Sequence, residues 1–343
     1  MLEDILLGAV PEVASAAVAM IAVGGTTVAS AAVGELVRYT GTDFTLASER
    51  PPVTIDAIFD LASISKLFTT SVIMSLVEEG RLDLDAPVAT WLPEHYGHRT
   101  QITLRHLLTH RAGLQPTRRI DLELPSADAA TRREAVLSTP ITTPVGGPYL
   151  YTDVGMVTVG RLAELAGEAP LDELVRDRVS AKLGLDDTGY GPVAAVERVA
   201  ATEWKPERHG VVRGEVHDET SYGLGGVAGH AGVFSTAADL VRFGEALRLG
   251  HLPLTGEMTR DQGVEGAAFR HGLGVRIGDP AIVGPLTGAF GHSGFTGTSL
   301  VVDPAHELTV VLLTNAVHPI RGRDGIRNLR HAVATEALRL AKT

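Results

Sequence analysis

Apolar spacing changes twice along this chain: strand-like near the N-terminus, helical through the middle, and strand-like again toward the C-terminus. A short helix is predicted over 2–9. Two β-prone runs, 16–23 and 26–33, flank Gly24-Gly25 and read as a hairpin. At 63–79 the spacing becomes helical. Ile64, Leu67, Phe68, Val72, Leu76 and Val77 fall on one face, and Gly80 supplies a stop. A turn over 82–87 and a short helix over 87–92 follow. From 103 to about 215 the chain is polar and mostly helical, with breaks at Pro116, Pro125, Pro140, Pro144 and Gly146-Gly147-Pro148. From Gly272 the strand pattern returns. Runs 298–302 and 308–313 flank Asp303-Pro304-Ala305-His306, a second hairpin signal, and an amphipathic helix over 326–341 closes the chain. Strands at both ends with helices between predict an α+β fold, its sheet built from the N- and C-terminal segments. The whole of 1–343 is expected to form one unit, with an α/β part over about 1–100 and 216–343 and a mainly helical lobe inserted over about 101–215.

Composition narrows the function. The chain has 343 residues, 44% hydrophobic and 21% charged, which is ordinary for a globular protein. Its 30 basic and 41 acidic residues give a net charge of −11, which argues against nucleic acid or an anionic membrane surface as partner. With no cysteine, thiol catalysis, disulfides and cysteine-based zinc sites are excluded. The apolar run at 14–23 is preceded by Glu3, Asp4 and Glu12 without Lys or Arg, unlike the basic start of a secretory signal. No stretch reaches the roughly 18 apolar residues of a membrane span. A soluble cytoplasmic location is the expectation.

Candidate chemistry begins at Ser63-Ile64-Ser65-Lys66. A serine and a lysine three apart share a helical face, and a helix start offers free N–H groups and a positive dipole end to an anion. Two later stretches add to it. Pro148-Tyr149-Leu150-Tyr151-Thr152-Asp153 places a phenol and a carboxylate at a turn that opens a helix over 154–166. Phe290-Gly291-His292-Ser293-Gly294-Phe295 sets glycines around polar residues inside a strand, where a ligand can approach the backbone.

In order and spacing these stretches resemble the serine β-lactamase and penicillin-binding-protein superfamily, in the branch of class C β-lactamases and their esterase relatives. Ser63-x-x-Lys66 matches the first motif, Tyr151-Thr152-Asp153 the Tyr-x-Asn motif, and His292-Ser293-Gly294 the Lys-Thr-Gly position. The runs 102–114 and 225–236 are also similar to the family, and the likeness spans about 15–340. The resemblance implies a β-lactamase/transpeptidase-like fold and an acyl-Ser63 intermediate. It also implies an oxyanion hole made by the backbone N–H groups of Ser63 and Phe295. A serine hydroxyl needs a base, and Lys66 and Tyr151 are the candidates. A phenol ordinarily titrates near ~10, so Tyr151 needs a cation beside it, and the two groups titrate as a coupled pair. Tyr151 is assigned the proton and Lys66 the electrostatic support. No cofactor or metal is required.

Two residues depart from the family pattern. Asp153 stands for Asn, so it can hold Lys66 but, ionised, cannot donate to an amide carbonyl. His292 stands for a permanent cation and is mostly neutral at pH 7. Both changes favour neutral esters over β-lactams or peptides. The expected activity is therefore a serine hydrolase acting on a small-molecule carboxylic ester. The alternatives are an acyltransferase on the same scaffold, a D-amino peptidase or β-lactamase, and a non-catalytic acyl-ligand binding domain. Acyl group, leaving group and oligomeric state are left open by the sequence.

Other polar residues read as structural. Ser65 faces away from Lys66. His106 and His110 share a helix face but lack the carboxylate of a zinc motif. His217-Asp218-Glu219 reads as a loop anchor, His230 as structural, and Gly223–Gly232 as backbone passing near the site. Phe295 stands where a G-x-S-x-G elbow requires glycine, which excludes an α/β-hydrolase.

Overall fold

The computed structural model describes residues 1–342. Its frame is a seven-stranded antiparallel sheet, in the order Thr26–Gly34, Ala16–Val23, Leu308–Thr314, Ser299–Asp303, Phe290–Ser293, Arg276–Ile277, Arg270–His271. N- and C-terminal segments meet where Ala17 pairs with Thr314 and Val23 with Leu308. Gly24 and Gly25 hold φ of 57° and 83°, the left-handed pair that a two-residue hairpin demands.

The strand Ala16–Val23 is covered on both sides, and its period of two sorts the core. Ala17, Ala19 and Ile21 pack with Leu2, Leu6, Leu329 and Val333, from the first helix, Leu2–Leu7, and the last, Ile326–Leu340. Val18, Met20 and Ala22 face a larger core that holds Phe68, Val72 and Phe243 and continues to Met156, Val159 and Leu162 in the helix Asp153–Gly167. Phe68 and Phe243 stack with ring centroids 4.2 Å apart.

The helix Ser65–Glu78 lies between these layers, and it differs from the predicted one-sided helix. Every residue from Ser65 to Leu76 is buried. The polar ones are tolerated because their hydroxyls bond back within the helix: Thr70 Oγ1 donates to Lys66 O at 2.7 Å and Ser71 Oγ to Leu67 O at 2.9 Å. Two further expectations are corrected. In place of a helix over 87–92 there is a single 3₁₀ turn, Val88–Thr90, followed by the short helix Pro93–Tyr96. Proline fixes the entry to each but cannot extend a run behind it. The helical stretch of the inserted lobe also ends early, at Leu183. Beyond it Gly189–Tyr190 pairs with Val233–Ser235, which pairs with Phe59–Asp60, in a separate three-stranded sheet. Among the described residues, no helix is long and apolar enough to cross a membrane.

Candidate active site

Ser63 sits in a 3₁₀ turn, Ala62–Ile64, immediately before the helix Ser65–Glu78. Ala62 carries φ of 46°, a left-handed conformation that costs a non-glycine residue about 1–2 kcal/mol. The turn is pinned on several sides. Ala62 N donates to Asp60 Oδ1 at 2.8 Å, Leu61 N to Val233 O at 3.0 Å, and Thr298 Oγ1 to Leu61 O at 3.1 Å. The result is a serine lifted out of the helix and aimed at the lobe.

Lys66 follows one turn later and is fully buried. Its Nζ donates to Ser63 Oγ at 2.8 Å and to His230 O at 3.2 Å. It also lies 2.8 Å from Asp153 Oδ1, an ion pair in which that oxygen receives no well-aligned hydrogen bond. Burial pushes the Lys66 ammonium down, but Asp153 and then Tyr151 outweigh it and hold the group above its ordinary value. Lys66 is therefore a cation at neutral pH.

Tyr151 and Asp153 arrive on the N-terminus of Asp153–Gly167. Thr152 caps that helix by accepting from Gly155 N. Tyr151 OH donates to Ser63 Oγ at 2.9 Å. Its ring has Lys66 Nζ 4.9 Å from the centroid and the Arg276 guanidinium carbon 5.0 Å from it. Sequence reasoning missed Arg276. The only signal was a lone guanidinium in the apolar run Leu273-Gly274-Val275-Arg276-Ile277. Arg276 also pairs with Asp279 Oδ2 at 3.1 Å.

His292 takes its place on the adjacent strand Phe290–Ser293 and is buried. Its Nδ1 lies 2.8 Å from Ser293 O, which fixes that nitrogen as the donor. Burial, then Arg276 and Lys66, hold its imidazole well below the usual value, so it is neutral. The positive charge missing from position 292 thus stands on the neighbouring strand, at Arg276. Gly294 lets the strand approach the serine turn: a Cβ there would collide with Leu61 O and Thr298 Oγ1. The Phe295 amide makes no hydrogen bond within the described residues, and the residue is 59% exposed.

Ser63, Tyr151, Arg276, Ser293, Gly294 and Phe295 line one cavity of about 370 Å³, whose far wall includes Val317, Ile326 and Arg330. Arg330 donates to Thr298 O at 3.0 Å, yet its buried Nε has no partner, and neither has that of Arg276. Burial and then Arg276 push Arg330 down to about 10, still well above neutral pH.

The remaining sequence candidates separate. Ser65 Oγ is buried and accepts from Val233 N at 3.1 Å, away from the cavity. His106 bonds to Thr103 at its helix start. His110 is brought to the site after all, with its ring 4.7 Å from that of Tyr151 and its Nδ1 accepting from Thr152 N at 3.2 Å. His217, Asp218 and Glu219 each anchor a loop, bonding to Glu203, His230 and Lys205 respectively. His230 enters the site through its carbonyl rather than its ring.

The Beta-lactamase family model matches residues 10–335. Proteins of Escherichia coli strain K12 and Salmonella enteritidis, both named "Putative D-alanyl-D-alanine carboxypeptidase", are 30% and 29% identical to the chain. The matches cover 80% and 82% of this chain and 73% and 74% of theirs. Among solved structures, EstCE1, described as a hydrolase with promiscuous acyltransferase activity, superposes with a TM-score of 0.73 at 23% identity over 96% of this chain and 97% of that one. The simvastatin synthase LovD of Aspergillus terreus, in a mutant form, superposes with a TM-score of 0.75 at 21% identity over 99% and 94%. At such identities the two structures speak for the fold alone.

Proposed function

Because the chain belongs to the β-lactamase family of serine hydrolases, we propose that it hydrolyses carboxylic esters through a covalent acyl-Ser63 intermediate. The observation that carries this reading is the hydroxyl of Tyr151, 2.9 Å from Ser63 Oγ, on a ring with cations 4.9 Å and 5.0 Å from its centroid. Lys66 and Arg276 stabilise negative charge on the phenol oxygen. The Tyr151 oxygen, once its own proton has passed to solvent, takes the Ser63 proton while Oγ bonds to the acyl carbon. The oxyanion that forms is received by the backbone N–H groups of Ser63 and Phe295. The C–O bond to the leaving alcohol then breaks, and Tyr151 returns the proton to that alcohol. Water adds to the acyl-enzyme by the same route, with Tyr151 as base, and releases the acid and Ser63. Lys66 keeps its proton throughout, held by Asp153.

A second reading has its own observation. Arg276 and Arg330 bring two cations into the cavity, each with an unpartnered buried Nε. Neutral esters were the expectation from Asp153 and His292. These guanidinium groups suit a substrate that also carries a carboxylate, as a peptide ending in D-alanine does. Transfer to an alcohol or amine is the third possibility, supported by the descriptions of the structural neighbours.

One experiment separates the three. A labelled butyryl ester is incubated with excess added alcohol, and an N-acylated D-alanyl-D-alanine peptide is assayed in parallel. Free butyrate as the main product supports the hydrolase. A butyryl ester of the added alcohol supports the transferase. Release of D-alanine faster than ester cleavage replaces both with the peptidase.

A further inference from the structure

We propose that Asp60 is the positioning residue that sets the distance between the two oxyanion amides, those of Ser63 and Phe295. The inference rests on the acyl-Ser63 reading above. Asp60 is buried at the end of the short strand Phe59–Asp60, and it touches both halves of the site.

Its Oδ1 accepts from Ala62 N at 2.8 Å, so it holds the left-handed residue just before Ser63. Its Oδ2 accepts from His217 N at 2.6 Å, and the His217 ring stacks on the Phe295 ring, with centroids 5.8 Å apart and planes 23° apart. Its main-chain carbonyl accepts from Thr296 Oγ1 at 2.8 Å, the residue immediately after Phe295. One residue thus fixes the serine turn through one carboxylate oxygen. It fixes the Phe295 turn through the other oxygen and through its carbonyl.

The two turns belong to different sheets and lie more than two hundred residues apart in the chain. The distance between their amides is therefore a tertiary property that needs a tie. The Phe295 turn has supports of its own: Gly294 N donates to Thr298 O at 2.8 Å, and Ala316 N to Thr296 O at 2.8 Å. These fix its shape. Asp60 and the Thr298–Leu61 bond fix its position relative to Ser63. Both carboxylate oxygens of Asp60 accept from N–H groups, a task an amide side chain performs with only one atom.

The test compares Asp60→Asn, Thr296→Val and Thr296→Ser with wild type. Two readouts are taken: ester kinetics, and affinity for phenylboronic acid. The Ser63 hydroxyl adds to the boron of that probe with loss of its proton, giving a tetrahedral anion that depends on the same amides. Removing an oxyanion donor outright costs on the order of 10²–10³ in kcat. Displacing one is expected to cost about 10- to 100-fold in kcat for Asp60→Asn and Thr296→Val, with KM changed less than threefold. Boronate affinity should fall in parallel, and Thr296→Ser should recover most of the loss. Unchanged kcat in folded Asp60→Asn, or a fall in kcat with boronate affinity intact, overturns the proposal. If Asp60→Asn does not fold, the Thr296 pair decides by the same criteria. Wild-type protein that forms no Ser63 adduct would instead remove the acyl-enzyme reading, which the intact mass of the wild type reports separately.

Discussion

The two cations beside Tyr151 stand at nearly equal distance from its ring, yet they belong to different kinds of structure. Lys66 stands one turn after Ser63 and donates to it, is closed off from solvent, and has its charge matched by Asp153. Arg276 comes from a two-residue strand near the sheet edge, lines the cavity, and retains an unpartnered Nε despite its pairing with Asp279. The first is placed to serve the proton and nothing else. The second can serve the proton and meet the substrate. The site therefore divides into an interior, where charge is balanced, and a wall, where positive charge is in excess.

The largest expected effect is on the interior side. Lys66→Met removes the partner of both Ser63 and Asp153, and hydrolysis of a neutral ester is expected to fall by about 10³-fold or more, the scale of losing acid–base support. Activity within tenfold of wild type would break the assignment of the interior. Next comes the wall. Arg276→Met is expected to cost about 10- to 100-fold on a neutral ester, through Tyr151, and clearly more on an ester bearing a carboxylate. Arg276→Lys should recover the first loss better than the second, because an ammonium supplies charge without the guanidinium fork. Equal losses on the two esters would show that Arg276 acts on the proton alone.

A smaller effect concerns the histidines. Burial holds His271 down to about 4, and His110 and His292 also lie well below the ordinary value of 6.5. The folded state keeps them neutral, while the unfolded chain takes up their protons once pH falls below about 6.5. Stability is therefore full above that pH and falls as pH drops toward 4. Denaturant unfolding at steps between pH 7 and 4 checks it. A buried carboxylate acts lower. Burial opposes ionisation of Glu203, but His217 and Arg321 outweigh it and hold it at about 2. Its contribution is present above 4.5 and is lost as pH falls toward 2. A midpoint that stays flat from pH 7 to 4 would contradict the histidine account.

The same division explains what the sequence made readable. Ser63 and Lys66 are three residues apart where a 3₁₀ turn runs into a helix, and Tyr151 and Asp153 flank one helix cap, so local spacing places them. Hairpins announced by Gly24-Gly25 and by the turn before Leu308 are local in the same sense, and the sheet formed from them lies where the pattern placed it. Arg276 and His110 gain their meaning only through neighbours across the sheet and beyond the lobe. No periodicity encodes which strand will lie beside Phe290–Ser293. The buried hydroxyls of Ser65–Glu78 misled for a related reason. Back-bonding to the helix satisfies them, so polar residues occupied a face that composition had assigned to solvent.

The most direct measurement is intact mass after brief exposure to p-nitrophenyl butyrate, on wild type, Ser63→Ala and Tyr151→Phe, with nitrophenol release followed in parallel. The account predicts a butyryl adduct and turnover in wild type, neither in Ser63→Ala, and adduct formation slowed by about 10²-fold or more in Tyr151→Phe. Turnover persisting in Ser63→Ala, or full-rate acylation in Tyr151→Phe, would contradict it.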